Sequence, residues 1–150
     1  MKDYACERLY RDARILSIYE GTSQMQVVAA IRFVTNGAYL AKLRQYEMQS
    51  INPEFVSLRN RLIEMTNTFE KTVADVIALK NSEYIDFQAR RMVEMAGHIV
   101  MGYLLVIDAS RNDMFRKSAE IYVNYGEAEV KRHASFIAQF EVNNLDVYRQ

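Results

Sequence analysis

The sequence predicts an all-α fold, and three observations carry that reading. One proline and five glycines in 150 residues leave few positions where a helix must stop. Eight methionines, with many Ala, Leu, Glu, Lys, Arg and Gln, favour helix over strand. After Pro53, apolar residues recur in steps of three and four along most of the chain, the period of a helix face.

The elements follow in order. Tyr4, Leu9 and Ala13, with charges between them, allow a short amphipathic helix from Asp3 to about Arg14. Ile15-Leu16-Ser17-Ile18-Tyr19 has no helical period and precedes Gly21, so it reads as a connector. Ser23 and Gln26 have capping-box spacing, which starts a second helix at about Gln24 and carries it to about Glu47. One of its faces is Met25, Val28, Ala29, Phe33, Tyr39, Leu40 and Leu43; a second is Val27, Ile31, Val34 and Ala38. A helix apolar on two sides lies between packed layers, and Gly37 inside it marks either a bend or an inert substitution.

Asn52 and Pro53 are placed as N-cap and first helical residue of a third helix, whose seam runs Phe55, Leu58, Leu62, Met65, Phe69, Val73, Val76 and Leu79 over roughly 40 Å. Ser82 is the expected cap of a fourth helix, Glu83 to Ala109, with Tyr84, Phe87, Met92, Met95, Ile99, Tyr103 and Val106 on its seam. Asn112 or Asp113 caps a fifth, Met114 to Asn143, through Phe115, Ala119, Tyr122, Gly126, Val130, Ile137 and Phe140. Short loops make these three antiparallel neighbours. The tail from Asn144 to Gln150 is expected to fray.

Acidic and basic residues balance at 19 each, so no overall field recruits nucleic acid or an anionic membrane. A single cysteine, Cys6, and two distant histidines give no disulfide and no metal-ligand spacing, which fits a cytoplasmic setting. The first residues have no signal-peptide core. The most apolar run, Ile99 to Ile107, is about half the roughly 20 residues a bilayer needs and reads as a buried helix segment, so no membrane span is expected. His98 and His133 are read as helix residues whose ring nitrogens find a carbonyl or surface water, Met92, Met95 and Met101 as core filler, and Arg90-Arg91 and Lys131-Arg132 as solvated faces.

The chemistry concentrates in Tyr10-Arg11-Asp12-Ala13-Arg14-Ile15 and Ile18-Tyr19-Glu20-Gly21-Thr22-Ser23-Gln24. Glu20 ends a short apolar segment directly before a glycine and a helix start, a place where a fold holds a carboxylate as a general base. Taken alone, such a glutamate is more often an exposed carboxylate that suits the helix dipole. The whole run, however, resembles the C-terminal signature of the flavin-dependent acyl-CoA dehydrogenases. The resemblance implies that Glu20 removes the proton beside the thioester carbonyl of an acyl-CoA, that its own amide helps hold the carbonyl oxygen, and that a hydride passes to FAD, giving a 2,3-enoyl-CoA. It further implies that Tyr19 and Gly21 lie against the substrate, that Thr22 and Gln24 touch the flavin dinucleotide, and that electrons leave to an electron-transfer flavoprotein in fatty acid metabolism.

The strong match covers about Tyr10 to Gln26. The helices after Pro53 resemble the C-terminal extension of the larger family members, such as the very-long-chain enzymes and the methylmercaptopropionyl-CoA group. The expected organisation is therefore residues 1–48 as the end of a dehydrogenase α-domain and residues 53–143 as a three-helix extension. On that reading the chain is a C-terminal fragment that holds no flavin tightly, turns over nothing alone, and self-associates as a homo-oligomer through apolar surface on helix two and Ile15 to Tyr19. The alternative is a non-catalytic helical interaction or dimerisation module.

Overall fold

Side chains spaced three and four apart after Pro53 close into one seam per helix, and the three seams meet. In the computed structural model, which describes residues 6–15 and 22–149, the helices are α1 (Cys6–Ile15), α2 (Ser23–Thr35), α3 (Ala38–Glu47), α4 (Val56–Ala78), α5 (Ser82–Arg111) and α6 (Arg116–Gln139). Short 3-10 turns at Pro53–Phe55 and Asp113–Phe115 lead into α4 and α6, a 3-10 segment follows at Val142–Arg149, and no strand occurs among the described residues. The fold is all-α, as expected.

Side-chain pairs set the directions. The Asn52 amide, just ahead of α4, donates to Ser110 near the end of α5, and Leu62 further along α4 meets Gly102 further back in α5, so these helices are antiparallel. Tyr84 of α5 donates to the Ile137 carbonyl of α6 at 3.1 Å while His98 lies 3.3 Å from the Tyr122 hydroxyl, which makes α5 and α6 antiparallel too. Arg61 of α4 binds Glu127 and, at 2.7 Å, Asn124 of α6; Arg116 binds Glu54, tying the two parallel helix starts together. Helices α2 and α3 form a second layer on this bundle. Ile31 and Val34 of α2 and Leu43 of α3 are buried, Arg44 reaches Glu70 (2.5 Å) and Asn67 (2.9 Å) on α4, and Tyr103 of α5 donates to Glu47 at 3.3 Å.

The helix ends correct several expectations. The described part of α1 begins at Cys6 and runs one residue beyond Arg14. The single second helix is two: Gly37, at φ +83°, takes a left-handed conformation open mainly to glycine and breaks the helix between α2 and α3. Thr22 rather than Ser23 is the N-cap of α2, because its extended backbone turns the chain one residue earlier, and its side chain makes no cap bond. Asn52 caps the Pro53 turn as expected, accepting from the Glu54 amide at 3.3 Å, but that turn is 3-10 and α4 proper begins at Val56. Asn81, not Ser82, caps α5 by accepting from the Tyr84 amide at 3.0 Å, after Lys80 reverses the chain at φ +51°. Asn112 caps the next turn, accepting from the Met114 amide. The helix expected from Met114 to Asn143 is α6 alone, preceded by the Asp113–Phe115 turn and ended at Gln139.

The described part of the tail, to Arg149, packs on the bundle rather than fraying. Leu145 is buried, and Phe140 and Tyr148 stack on Phe87 with ring centroids 4.7 and 5.2 Å away. Met92 and Met95 fill the core as expected, whereas Met101 is exposed on the outer side of α5. Helix α5 is long and apolar enough to cross a membrane by composition, with half of its most apolar window buried inside the bundle. That burial is what a core helix of a packed bundle shows. The outer face of α2 exposes Met25, Val28 and Phe33, so of its two apolar sides one is covered by α5 and one is bare.

Helices α4 and α5 approach closely at Gly102, where a Cβ would lie 2.5 Å from Leu62 Cδ2. Leu62 is completely buried and has little room to yield. Gly102→Ala is therefore expected to destabilise the fold by about 1–3 kcal/mol despite its better helix propensity. Urea denaturation monitored by circular dichroism checks this, and a stability equal to or above the parent contradicts the packing described.

Candidate functional site

The described structure resumes at Thr22, at the N-terminal end of α2. Tyr19, Glu20 and Gly21 lie outside the described residues, as does the connector from Leu16. Thr22 and Gln24 are described, and both are exposed. The Thr22 carbonyl accepts from the Gln26 amide at 3.1 Å, so the helix closes its first turn there, and the amides ahead of Gln26 have no intrahelical acceptor.

Gln24 opens onto a cavity of about 530 Å³. Its walls are Gln24 and Val27 from α2, Asp86, Phe87, Arg90, Arg91 and Glu94 from α5, and Arg132 and His133 from α6. The site stretch and the extension thus share one concavity, built where the first turn of α2 crosses the first three turns of α5.

Its electrostatics are organised by paired charges. Arg90 donates to Glu94 at 2.8 Å, one turn on; Arg132 donates to Glu129 at 2.6 Å. Arg91 is committed elsewhere: it donates to the Phe87 carbonyl at 3.2 Å and stacks on the Phe136 ring at 3.9 Å. His133 is 3 % exposed, and its Nε2 lies 3.1 Å from Glu94 and 3.2 Å from the Arg132 guanidinium. That nitrogen serves one of these neighbours at a time, donating to the carboxylate or accepting from the guanidinium, while Nδ1 has no partner among the described residues. Burial, seconded by Arg132, holds the imidazole below its ordinary value of 6.5, against the pull of Glu94 and Glu129.

Sequence reasoning missed this site. His133 meets carboxylates and a guanidinium rather than a backbone carbonyl or water, because α5 places Glu94 over it. His98 likewise meets a tyrosine: its ring lies against Tyr122 and edge-on to Tyr125, 5.3 Å away. Arg91 is not a solvated face but a half-buried cation between aromatic rings. The available signal was the i, i+3 and i, i+4 spacing of Phe87, Arg90, Arg91 and Glu94, and of Glu129, Arg132 and His133, which puts partners on one helix face.

Comparison with known proteins places the chain. The family profile described as acyl-CoA dehydrogenase C terminal matches residues 35–145. The chain belongs to the acyl-CoA dehydrogenase family. A second profile, acyl-CoA dehydrogenase, C-terminal domain, matches residues 1–34, so the handover between the two falls beside the break at Gly37. Among solved structures, an acyl-CoA dehydrogenase family protein from Porphyromonas gingivalis is similar at 42% identity and a TM-score of 0.72, over 75% of this chain and 98% of that one. Among curated proteins, acryloyl-CoA reductase (NADH) from Anaerotignum propionicum is 59% identical over 34 residues, 23% of this chain and 9% of that protein. The 3-(aryl)acrylate reductase of Clostridium sporogenes is 65% identical over 26 residues, 17% of this chain and 7% of that protein. The chain therefore spans less than a tenth of the length of these curated relatives.

The state of His133 sets a pH dependence. Its folded value is depressed, so the stability that depends on the neutral ring is fully present above about 6.5, the unfolded value, and is lost as pH falls through the folded value. The melting temperature of the protein is expected to fall more steeply below pH 6.5 than that of His133→Gln. Equal slopes contradict a buried neutral imidazole.

Proposed function

We propose that this chain is the C-terminal, base-carrying part of a flavin-dependent acyl-CoA dehydrogenase, in which Glu20 takes the proton from the carbon beside the thioester carbonyl of an acyl-CoA. The observation that carries this reading is the family membership, joined to the run from Tyr10 to Gln24 that contains a carboxylate at the family's base position. Fatty acyl thioesters are the proposed substrates, and an electron-transfer flavoprotein in the cytoplasm the proposed electron acceptor.

The residues present fit one part of the cofactor. Thr22 and Gln24 stand exposed where the first amides of α2 lack intrahelical partners, and such a helix start favours anionic groups such as phosphate. When bound, FAD supplies the hydride acceptor. Glu20 then has one task, to hold or release a proton at its carboxylate. The Glu20 amide and Gly21, without a side chain, leave room for a thioester oxygen to accept a backbone hydrogen bond as charge develops on it. Tyr19 is assigned to the acyl chain.

A chain that covers 9% and 7% of its curated relatives leaves most of the substrate and cofactor walls to other polypeptide. We expect the isolated chain to be inactive. The bare apolar side of α2, with Met25, Val28 and Phe33, is assigned to packing against that remainder, and to self-association when the chain is alone. The division into residues 1–48 and 53–143 stays part of the proposal, as base-carrying part and extension; Arg44 and Glu47 tie α3, at the end of the first part, to α4 and α5 of the second.

Both curated relatives are reductases, which favours a second reading, in which the same proton and hydride exchange runs toward reduction of a 2-enoyl thioester and protonated Glu20 is the donor. One experiment separates the readings and tests the base. In a full-length flavoprotein carrying this chain, turnover is measured in both directions for the parent and for Glu20→Gln. The variant is expected to lose at least about 10²-fold in either direction while its absorbance near 450 nm, roughly that of bound oxidised flavin, is unchanged. Retained activity removes Glu20 as the base, and a full-length protein without flavin favours the non-catalytic helical module.

A further inference from the structure

Three of the described glycines have a reason inside the fold. Gly37 takes a left-handed backbone, Gly102 receives Leu62, and a Cβ at Gly126 would already touch Met65 and His98, at 3.5 and 3.6 Å. Gly97 has no such reason. It stands exposed in the middle of α5, a Cβ there would meet nothing within 4 Å, and only proline is a poorer helix former than glycine. A glycine in this position weakens its own helix and leaves room for another backbone or side chain to come close.

The surface around Gly97 is apolar. Along the same outer ridge α5 exposes Met101 (45%) and Leu104, and the adjoining ridge of α6 exposes Ile121 (69%) and Tyr125 (53%). The two ridges form one face, because His98 lies 3.3 Å from the Tyr122 hydroxyl and edge-on to the Tyr125 ring. Between Glu94 and Asp108 the α5 sequence has no Asp, Glu, Lys or Arg. Charges return at the two ends of the face, with Arg90 and Asp108 on α5 and Lys117 and Glu129 on α6. Asp108 and Lys117 make no ion pair among the described residues, and Arg90 is 72% exposed in a pair with Glu94 of its own helix.

We propose that this face is a two-fold interface between two copies of the chain, with α5 and α6 of one copy lying antiparallel on α5 and α6 of the other. The two ridges are self-complementary about one level. Ile99 and Val123 stand at that level, as the contacts of His98 with Tyr122 and Tyr125 show. A two-fold axis across the helices there exchanges residues equally far in sequence on either side of Ile99 in α5, and of Val123 in α6. Gly97 then faces Met101 of the second copy, and the methionine enters the space that a side chain would fill. Ile121 faces Tyr125. Arg90 faces Asp108 and Lys117 faces Glu129, so opposite charges meet at both ends of both helices around an apolar centre. This face is separate from the bare side of α2, and the proposal does not rest on the dehydrogenase reading.

Sedimentation velocity over a concentration series tests the interface in this chain, with the α2 face blunted by Met25→Gln and Val28→Gln so that association through it is suppressed. A reversible monomer–dimer equilibrium is expected. Gly97→Gln should raise the dissociation constant about tenfold or more, while the melting temperature measured at dilutions where the chain is monomeric stays equal or rises. Asp108→Lys and Arg90→Glu should each weaken the dimer by about tenfold or more, because each sets like charges opposite one another twice. An equimolar mixture of these two variants should dimerise as the unsubstituted chain does, since both contacts in the mixed pair are then of opposite charge.

A chain that stays monomeric at about 1 mM overturns the proposal, as does one that binds phosphatidylcholine vesicles through Ile121 and Tyr125 in place of dimerising. A dimer indifferent to Gly97→Gln, or charge variants that the mixture does not rescue, also overturns it.

Discussion

Burial of α5 on three sides is the constraint on which the rest of the structure depends. Twelve of its thirty residues are buried, from Tyr84 in the first turn to Ala109 in the last. Helices α4 and α6 cover two sides and α2 crosses the third, so one helix is the shared core of the bundle and of the α2–α3 layer. Fully burying side chains such as Met92, Met95 and Ile99 is worth about 1.5–3 kcal/mol each before entropy is counted. An isolated α2 of 13 residues is too short to hold itself helical in water, and its order comes from Ile31 and Val34 against the bundle.

That dependence ties the start of α2 to the bundle. The polar cavity at the same crossing shows that the junction is more than packing: charged side chains from α5 and α6 are held by Glu94 and Glu129 around the place where Gln24 projects. Tyr103 marks the other end of the shared layer, where burial pushes its hydroxyl up and Thr66 and Glu47 share it.

How much of this was legible in the sequence depended on the range of the interactions. Asn52-Pro53 announced a helix start because cap and proline act within one turn, and the seams of α4, α5 and α6 were visible in their spacing. The cap shifts at Thr22 and Asn81 were not, since neighbouring residues of similar chemistry compete and backbone geometry decides. Gly37 was ambiguous until its positive φ showed a break. The 3-10 tail was misjudged because its order comes from Phe87, more than fifty residues away. The family resemblance of the run from Tyr10 to Gln24 was readable because it is contiguous. The cavity was not, because its walls come from three helices brought together only by the fold.

Amide hydrogen exchange across α2 and α5 tests the central claim most directly, with the bundle loosened at a position remote from α2. Leu62→Ala opens a void between α4 and α5 at Gly102, at a cost of about 2–5 kcal/mol. If α2 is ordered by the bundle, the amides of Val27 to Thr35 and those of α5 accelerate together by the same factor. Acceleration in α5 with unchanged protection in α2 contradicts the account.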